Sequence, residues 1–584
     1  MWPFSHLSSS SSSPSIADRL EALRVAEGRL LEYARTRFGH HRNRNQNHDE
    51  NESENESESD RRRTRGTSRF ELFDTPIPPP SSIRRRGSDN DDDDDEDDED
   101  RALSLHGVMV TNDDRPGSSS SSSSSSPSTS SHSSHSSPPL VLLHGYANGS
   151  LYFYRNLSGL SRHFDRVYAL DMLGWGLSSR PRFDLVTRSS PSPTPPPRGE
   201  DDVEDDYDAK VGTRVAAAEA FFVESLERWR AHHDIPRLTL AGHSMGGYLA
   251  TAYAERHPDR VHRLILLSPV GVPRRRPVEE EERSIDSLPF YARYAMKALR
   301  YLFENRGITP GDFLRSLPHG KSRAMVDSYV ERRLPSIACP DERDALGEYL
   351  YQNSMLPGSG EYCLGEILTG GAYAKSPLVD RIHDIVVVPP PHASLSENDY
   401  EDDDDGLEVH MIYGQRDWMD YRGGLEEEGM GGGGGGGSSS SCGPPPRVHV
   451  HGVRDAGHLL MLDNHEEFNS AVVIAAGLGD DLPSGSPRPV TFVPSEEEEG
   501  EEGEEVGGVV VPSHRGSVGG RSGADGRSSA GASGRGGTRG GGGGGGGGDV
   551  LFGEEGAAST IVTSGKGGDK DAGREDKNMD DRPS

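Results

Sequence analysis

Ser244 lies between two glycines in LTLAGHSMGGYLA, Leu238 to Ala250, and this Gly-x-Ser-x-Gly spacing occurs once in the chain. With 72 glycines in 584 residues the pattern should arise about once by chance, so its surroundings decide its meaning. Arg237 to Leu240 is a short β-prone run. GGYLATAYAER, Gly246 to Arg256, has the small and apolar spacing of a buried helix. Strand, sharp turn and helix are the setting of a nucleophile elbow, where flanking glycines avoid Cβ collisions and the serine adopts a strained conformation.

A serine hydroxyl is a poor nucleophile near neutral pH, so Ser244 needs a base, and the base needs an acid that fixes its tautomer. His458, in VHVHGVRDAGHLLMLD, follows one strand and is the expected base. Asp417, in MIYGQRDWMD, follows the strand before it and is the preferred acid, with Asp420 within one turn as the alternative. Acyl transfer also requires donors aimed at a tetrahedral oxyanion. The main-chain N–H of Met245, directly after the serine, and that of Tyr146, after His144 and Gly145, are expected to supply them. The three cysteines, Cys339, Cys363 and Cys442, have neither pairing nor metal-binding spacing, and no metal or cofactor is expected.

Short aliphatic runs alternate with helical segments along the chain. Leu140 to Leu143, Val167 to Leu170, the run at Leu238, Leu264 to Leu267, Leu407 to Tyr413 and Val448 to Val450 read as strands. Helices fall near Tyr152 to His163, from about Val211 to His233, and after Ser244. The alternation predicts an α/β fold with a mostly parallel central sheet and helices on both faces. From about 273 to 384 the pattern is helical and reads as a cap inserted into the sheet domain. The domain is expected over 101–478, extended by low-complexity loop insertions at 189–208, 389–405 and 423–446, which add little closure entropy. Residues 1–100 are expected to be mostly disordered apart from an amphipathic helix near 15–38, and 479–584 to be a disordered tail. Only 32% of the chain is hydrophobic. Its net charge of -33 is concentrated in acidic blocks at Asp89 to Asp100, Glu200 to Asp208 and Glu496 to Glu505, which read as disordered and argue against nucleic acid as a partner.

PLVLLHGY, LDMLGWGLSSRPRFD, FVESLERWR, GHSMGGYLA, GAYAKSPLVDRI and AGHLLMLDN together resemble one subfamily of α/β-hydrolases. It groups a lipid-droplet lipase co-activator, an N-acyl-phosphatidylethanolamine hydrolase and fungal cardiolipin-specific deacylases. The resemblance covers about residues 100 to 478 apart from the insertions, and implies an α/β-hydrolase fold and a serine acyl hydrolase of membrane glycerophospholipids. A cardiolipin-like or N-acyl phospholipid leads as substrate. A lysophosphatidic acid acyltransferase using the same site and a non-catalytic co-activator are the alternatives. The co-activator carries asparagine at the nucleophile position, whereas this chain has Ser244, and its match falls on Asp420 rather than Asp417. An H-x-x-x-x-D pattern of the subfamily, read as an acyltransferase motif, spans His458 to Asp463. Because His458 is already engaged, Asp463 is expected to fix the following turn.

In PFYARYAMKALRYLF, Pro289 to Phe303, the cations Arg293, Lys297 and Arg300 recur at helical spacing while Phe290, Tyr294 and Leu302 are available for packing. The stripe is expected to meet an anionic membrane surface. Ile16 to Phe38 is a second amphipathic candidate, either for the membrane surface or for targeting. No apolar run reaches the roughly 18 residues that span a bilayer, and the first residues lack a basic and then apolar signal pattern. An intracellular, peripheral membrane location follows as the expectation, with the mitochondrion leading and lipid droplet or cytoplasm as alternatives.

Overall fold

The computed structural model describes residues 14–39, 68–83, 102–112, 137–182, 201–286, 289–370, 372–386, 406–425 and 444–492. The insertion at 389–405, most of those at 189–208 and 423–446, and the tail beyond 492 lie outside them. Nine strands form one sheet among the described residues: β1 (Ser68–Ile77), β2 (Leu103–Asn112), β3 (Leu140–Leu143), β4 (Val167–Leu170), β5 (Leu238–His243), β6 (Val261–Leu267), β7 (Glu408–Gly414), β8 (Arg447–Val453) and β9 (Val490–Thr491). Their order is β1-β2-β4-β3-β5-β6-β7-β8-β9. Pairing is parallel from β4 through β8, and antiparallel for β1 with β2, β2 with β4, and β8 with β9. β3, β4 and β5 are buried along their whole length, as strands covered on both faces must be.

Helices α1 (Ile16–Phe38), α2 (Asp201–His232) and α3 (Met245–Arg256) join the sheet through two cores. One contains Leu23, Leu30, Leu142, Ile265, Ile412 and Phe468; the other contains Val141, Leu240, Phe221, Trp229, Tyr248 and Met411. Alternate residues of β3 and β7 enter opposite cores, which is the period-2 geometry of a strand. Between β6 and β7 the chain is helical: α4 (Val278–Asp286), α5 (Phe290–Arg306), α6 (Pro310–Ser316), α7 (His319–Arg333) and α8 (Pro340–Ser354). After β8 follows α9 (His465–Ala475).

The sheet extends beyond the expected boundaries at both ends. β1 pairs with β2 along its length, and the ring of Phe73 stacks on Trp229 with centroids 6.3 Å apart, so residues 68–77 belong to the fold and not to a disordered leader. α1 starts on a capping box between Ser15 and Asp18 and buries Leu23, Ala26, Leu30, Leu31 and Ala34. Its apolar stripe is therefore covered by protein and is not presented to a membrane. His106 on β2 lies between Asp74 and Glu27, at 2.9 Å from each, and ties α1 to the sheet. Burial opposes a charge there, but hydrogen bonds to Asp74 and Glu27 outweigh it and push His106 up to about 10. At the other end, β9 adds to β8, and Phe492 stacks on Tyr421 with centroids 4.1 Å apart.

Two further expectations are corrected. The acidic block at 201–208 is helical, as the start of α2. In the cap, the aromatic residues of α5 that were expected to pack are exposed, while its cations lie near carboxylates. Lys297 pairs with Asp286 at 2.9 Å, Arg293 lies 3.9 Å from the same carboxylate, and Arg300 pairs with Glu281 and Glu304 at 3.2 Å. Lys297 stays 47% exposed in its pair, and Arg300, at 24%, is the most buried of the three cations. Phe290 and Tyr294, expected to pack, are 72% and 67% exposed, and Tyr291, Tyr301 and Leu302 are exposed beside them.

Candidate active site

β5 ends at His243, α3 begins at Met245, and Ser244 makes the turn with φ 53° and ψ -115°. For a non-glycine residue that conformation is strained, and it lifts the side chain off the sheet edge. The neighbouring backbone leaves no alternative. A Cβ on Gly242 would lie 2.2 Å from the carbonyl of Gly246, and one on Gly246 would lie 2.6 Å from the carbonyl of Leu143. Ser244 is half-buried, and its N–H donates to Leu267 at 2.9 Å.

The acid and the base arrive on loops beyond the ends of β7 and β8. Asp417 Oδ1 accepts from His458 Nδ1 at 3.1 Å and also from the N–H of Met419 at 3.0 Å. Both side chains are buried. Asp420 is turned elsewhere: its Oδ1 accepts from the N–H of Arg422 at 3.0 Å. Of the two carboxylates, Asp417 is the one that meets the imidazole. The bond through Nδ1 directs the other ring nitrogen, Nε2, away from the acid.

Asp463 accepts from the N–H of Gly457 at 2.9 Å and lies 3.2 Å from the hydroxyl of Ser336. It therefore braces the turn before His458 rather than the one after it. Burial raises its carboxyl above the usual range.

Met245 is the first residue of α3, so its N–H has no intrahelical acceptor and opens at the positive end of the helix. Gly145 is packed against the elbow, since a Cβ there would lie 3.2 Å from Ser244 Cβ. Tyr146 follows at the mouth of the site. Its ring meets Trp175 edge to face at 5.2 Å, and its hydroxyl accepts from the N–H of Gly311 in the cap at 3.3 Å.

Three supporting residues were not singled out in the sequence. His243 donates from Nε2 to the carbonyl of His458 at 3.0 Å, and burial, then the neighbouring His458, holds it well below the usual histidine range. Asn353 of α8 donates to the carbonyls of Ala147 and Asn148 and accepts from Gly176, joining the loop after β3 to the loop after β4. Buried Asp171 accepts from the N–H groups of Ser150 and Leu177 at 2.6 and 2.8 Å, across the same junction. A sequence signal existed only for Asp171, which opens the DMLGWG turn.

The α/β-hydrolase fold family model matches residues 138–420. A 1-acylglycerol-3-phosphate O-acyltransferase of Arabidopsis thaliana is 30% identical over 344 residues, 58% of this chain and 66% of that protein, so the chain spans just under two thirds of its length. The rat protein named 1-acylglycerol-3-phosphate O-acyltransferase ABHD5 is 31% identical over 336 residues, 57% of this chain and 76% of that one. A solved bacterial membrane phospholipase A aligns at 19% identity and a TM-score of 0.35, over 65% of this chain and 84% of that one. With its elbow, its parallel sheet, the family model and 31% identity over 76% of the rat protein, the chain belongs to the α/β-hydrolase fold family, in the subfamily that contains ABHD5.

Proposed function

We propose that the chain is a serine enzyme that breaks acyl esters of membrane glycerophospholipids through an acyl-enzyme. The hydrogen bond between Asp417 and His458, on loops flanking the strained Ser244, carries this reading. Asp417 keeps the proton of His458 on Nδ1, so Nε2 is the nitrogen that takes the proton of Ser244 as Oγ attacks the acyl carbonyl. The N–H groups of Met245 and Tyr146 receive the oxyanion. His458 then returns the proton to the departing glycerol oxygen, and water releases the fatty acid.

The similarity to proteins named acyltransferases supports a second reading, in which the hydroxyl of a lysophospholipid replaces water in the last step. Both readings place the substrate in a membrane, and the exposed aromatic face of α5 is the surface we assign to it. A mitochondrial membrane remains the leading location.

The test is incubation of the purified chain, and of Ser244→Ala, with mixed phospholipid vesicles containing lysophosphatidic acid. Free fatty acid that depends on Ser244 supports hydrolysis, and phosphatidic acid that depends on it supports transfer. Neither product, or equal amounts from Ser244→Ala, would overturn the acyl-enzyme.

A further inference from the structure

Four side chains that take no part in the site above gather on one face of β7 and β8. His410 stands opposite His449 in the parallel register, with Glu408 and His451 two residues away along their own strands, so all four share a face. Their level is three residues, roughly 10 Å, back from Tyr413, toward the strand ends opposite those that deliver Asp417 and His458.

The groups are close and unevenly satisfied. His449 Nε2 lies 2.8 Å from Glu408 Oε2, and His410 Nδ1 lies 3.0 Å from His451 Nε2. His410 Nε2 faces the same Glu408 oxygen at 3.7 Å and, though buried, has no hydrogen-bond partner. The His410 ring stacks on those of His449 and His451, with centroids 4.8 and 5.3 Å apart. One ligand atom from each of Glu408, His410 and His449 falls within 4.8 Å of the others. A buried orphan nitrogen aimed at a carboxylate oxygen that already serves a second imidazole is an arrangement that a shared cation completes.

We propose that Glu408, His410 and His449 bind a divalent transition-metal ion of the zinc class, through Glu408 Oε2 and the Nε2 atoms of the two histidines, with water in the open position. Two imidazoles and a carboxylate are a zinc donor set, and donors around a tetrahedral ion with bonds of about 2.0 Å stand roughly 3.3 Å apart. The separations of 2.8 and 3.7 Å from Glu408 Oε2 bracket that value. The supporting groups fit as well. In the tautomer where His410 Nδ1 donates to His451 Nε2, His410 Nε2 carries a lone pair, and Arg447 holds the other carboxylate oxygen of Glu408. Arg263, 3.8 Å from Glu408 Oε2, gives up its share of that oxygen as the ion enters. His449, with its side chain 40% exposed, opens the site to solvent and releases its Nε2 proton there.

An ion here cross-links the strands whose far ends carry Asp417 and His458, across a connection that the sequence makes rich in glycine. It thus serves the register of the site and not its chemistry.

The full chain, stripped with a chelator, is titrated with Co2+ and then with Zn2+. The expected result is one Co2+ per chain with the visible absorption of a four-coordinate nitrogen and oxygen site, displacement by Zn2+, and a rise in Tm with either ion. His449→Gln, at a half-exposed position, is expected to keep the metal-free Tm within a few degrees, lose that absorption and bind at least tenfold more weakly. Glu408→Gln should do the same. Failure of the wild type to take up Co2+ at micromolar concentration would overturn the proposal. Undiminished uptake and absorption in both variants would also overturn it, by placing the ion on other histidines.

Discussion

The ring of His243 donates from Nε2 to the main-chain carbonyl of His458, 3.0 Å away. The residue immediately before the nucleophile thereby holds the backbone of the residue assigned as its base. Replacing His243 by leucine removes the donor of this bond, a loss of about 1 kcal/mol for an ordinary buried hydrogen bond. We expect His243→Leu to lower Tm by several degrees and to slow fluorophosphonate labelling of Ser244 roughly tenfold, because His458 is no longer fixed in height above the elbow. Equal labelling rates at a temperature where both proteins are folded would remove His243 from the positioning of the base.

Asp417→Asn should lower turnover by about three to four orders of magnitude, since an amide in that place no longer selects the tautomer that leaves Nε2 basic. Asp420→Asn should remain within a few-fold of wild type, because its carboxylate meets the N–H of Arg422 and not the imidazole. Steady-state kinetics on one ester for both variants decides between them. A reversed ranking would move the acid role to Asp420.

His106 makes stability depend on pH in a stated direction. Its folded value of about 10 lies above the ordinary histidine value, so the native state holds a proton that the unfolded chain has lost. The stabilisation is complete below about pH 6.5 and drains away as pH rises through about 10. Burial raises Glu27, its partner, so its own contribution has the same sign and is likewise lost as pH rises. Thermal melts from pH 6 to 10 should show a declining Tm for wild type and a flatter, lower curve for His106→Asn. Parallel curves would show that His106 is neutral in the fold.

Ending the chain after residue 492 should leave Tm and labelling of Ser244 nearly unchanged, whereas ending it before Asp480 should cost several degrees. The longer deletion removes β9 and the ring of Phe492 that stacks on Tyr421, one residue beyond the loop of Asp417 to Asp420. Differential scanning calorimetry on the two truncations checks this. Identical melts would mean that β9 contributes nothing to the sheet.

Phe290→Ser with Tyr294→Ser should weaken vesicle binding on the order of tenfold and spare a short soluble ester, because these rings are exposed and present apolar area to an interface. Arg293, Lys297 and Arg300 changed together to glutamine should matter less, since each already has a carboxylate near it. Flotation with anionic and neutral vesicles gives the ranking.

The elbow was legible because its requirements are local: a β-prone run, two glycines and a small-residue helix adjacent in the chain. The acid was less so. Asp417 and Asp420 lie on one irregular loop, where no period orients side chains, and local hydrogen bonds, of Asp417 with Met419 and of Asp420 with Arg422, accompany the orientation that brings Asp417 to His458. The helical spacing of Ile16 to Phe38 was visible, but an apolar stripe does not name its partner, and here it is the protein's own core. The same limit applied to α5, whose aromatic and cationic residues both repeat at helical spacing: that spacing does not show that Phe290 and Tyr294 are exposed or that Asp286 and Glu281, from another helix, lie beside the cations. β1 escaped notice because its alternating Phe70, Leu72 and Asp74 sit between polar and acidic runs that dominate any window drawn over them.

Asn353 and the N–H of Gly311 belong to the cap, yet they hold Ala147, Asn148 and Tyr146, on the loop that is to receive the oxyanion. Any displacement of the cap wide enough to admit a lipid chain strips these bonds from that loop. On the proposed function, admission and bond-breaking would then belong to different states of one molecule, with reclosure of the cap as a step that limits turnover.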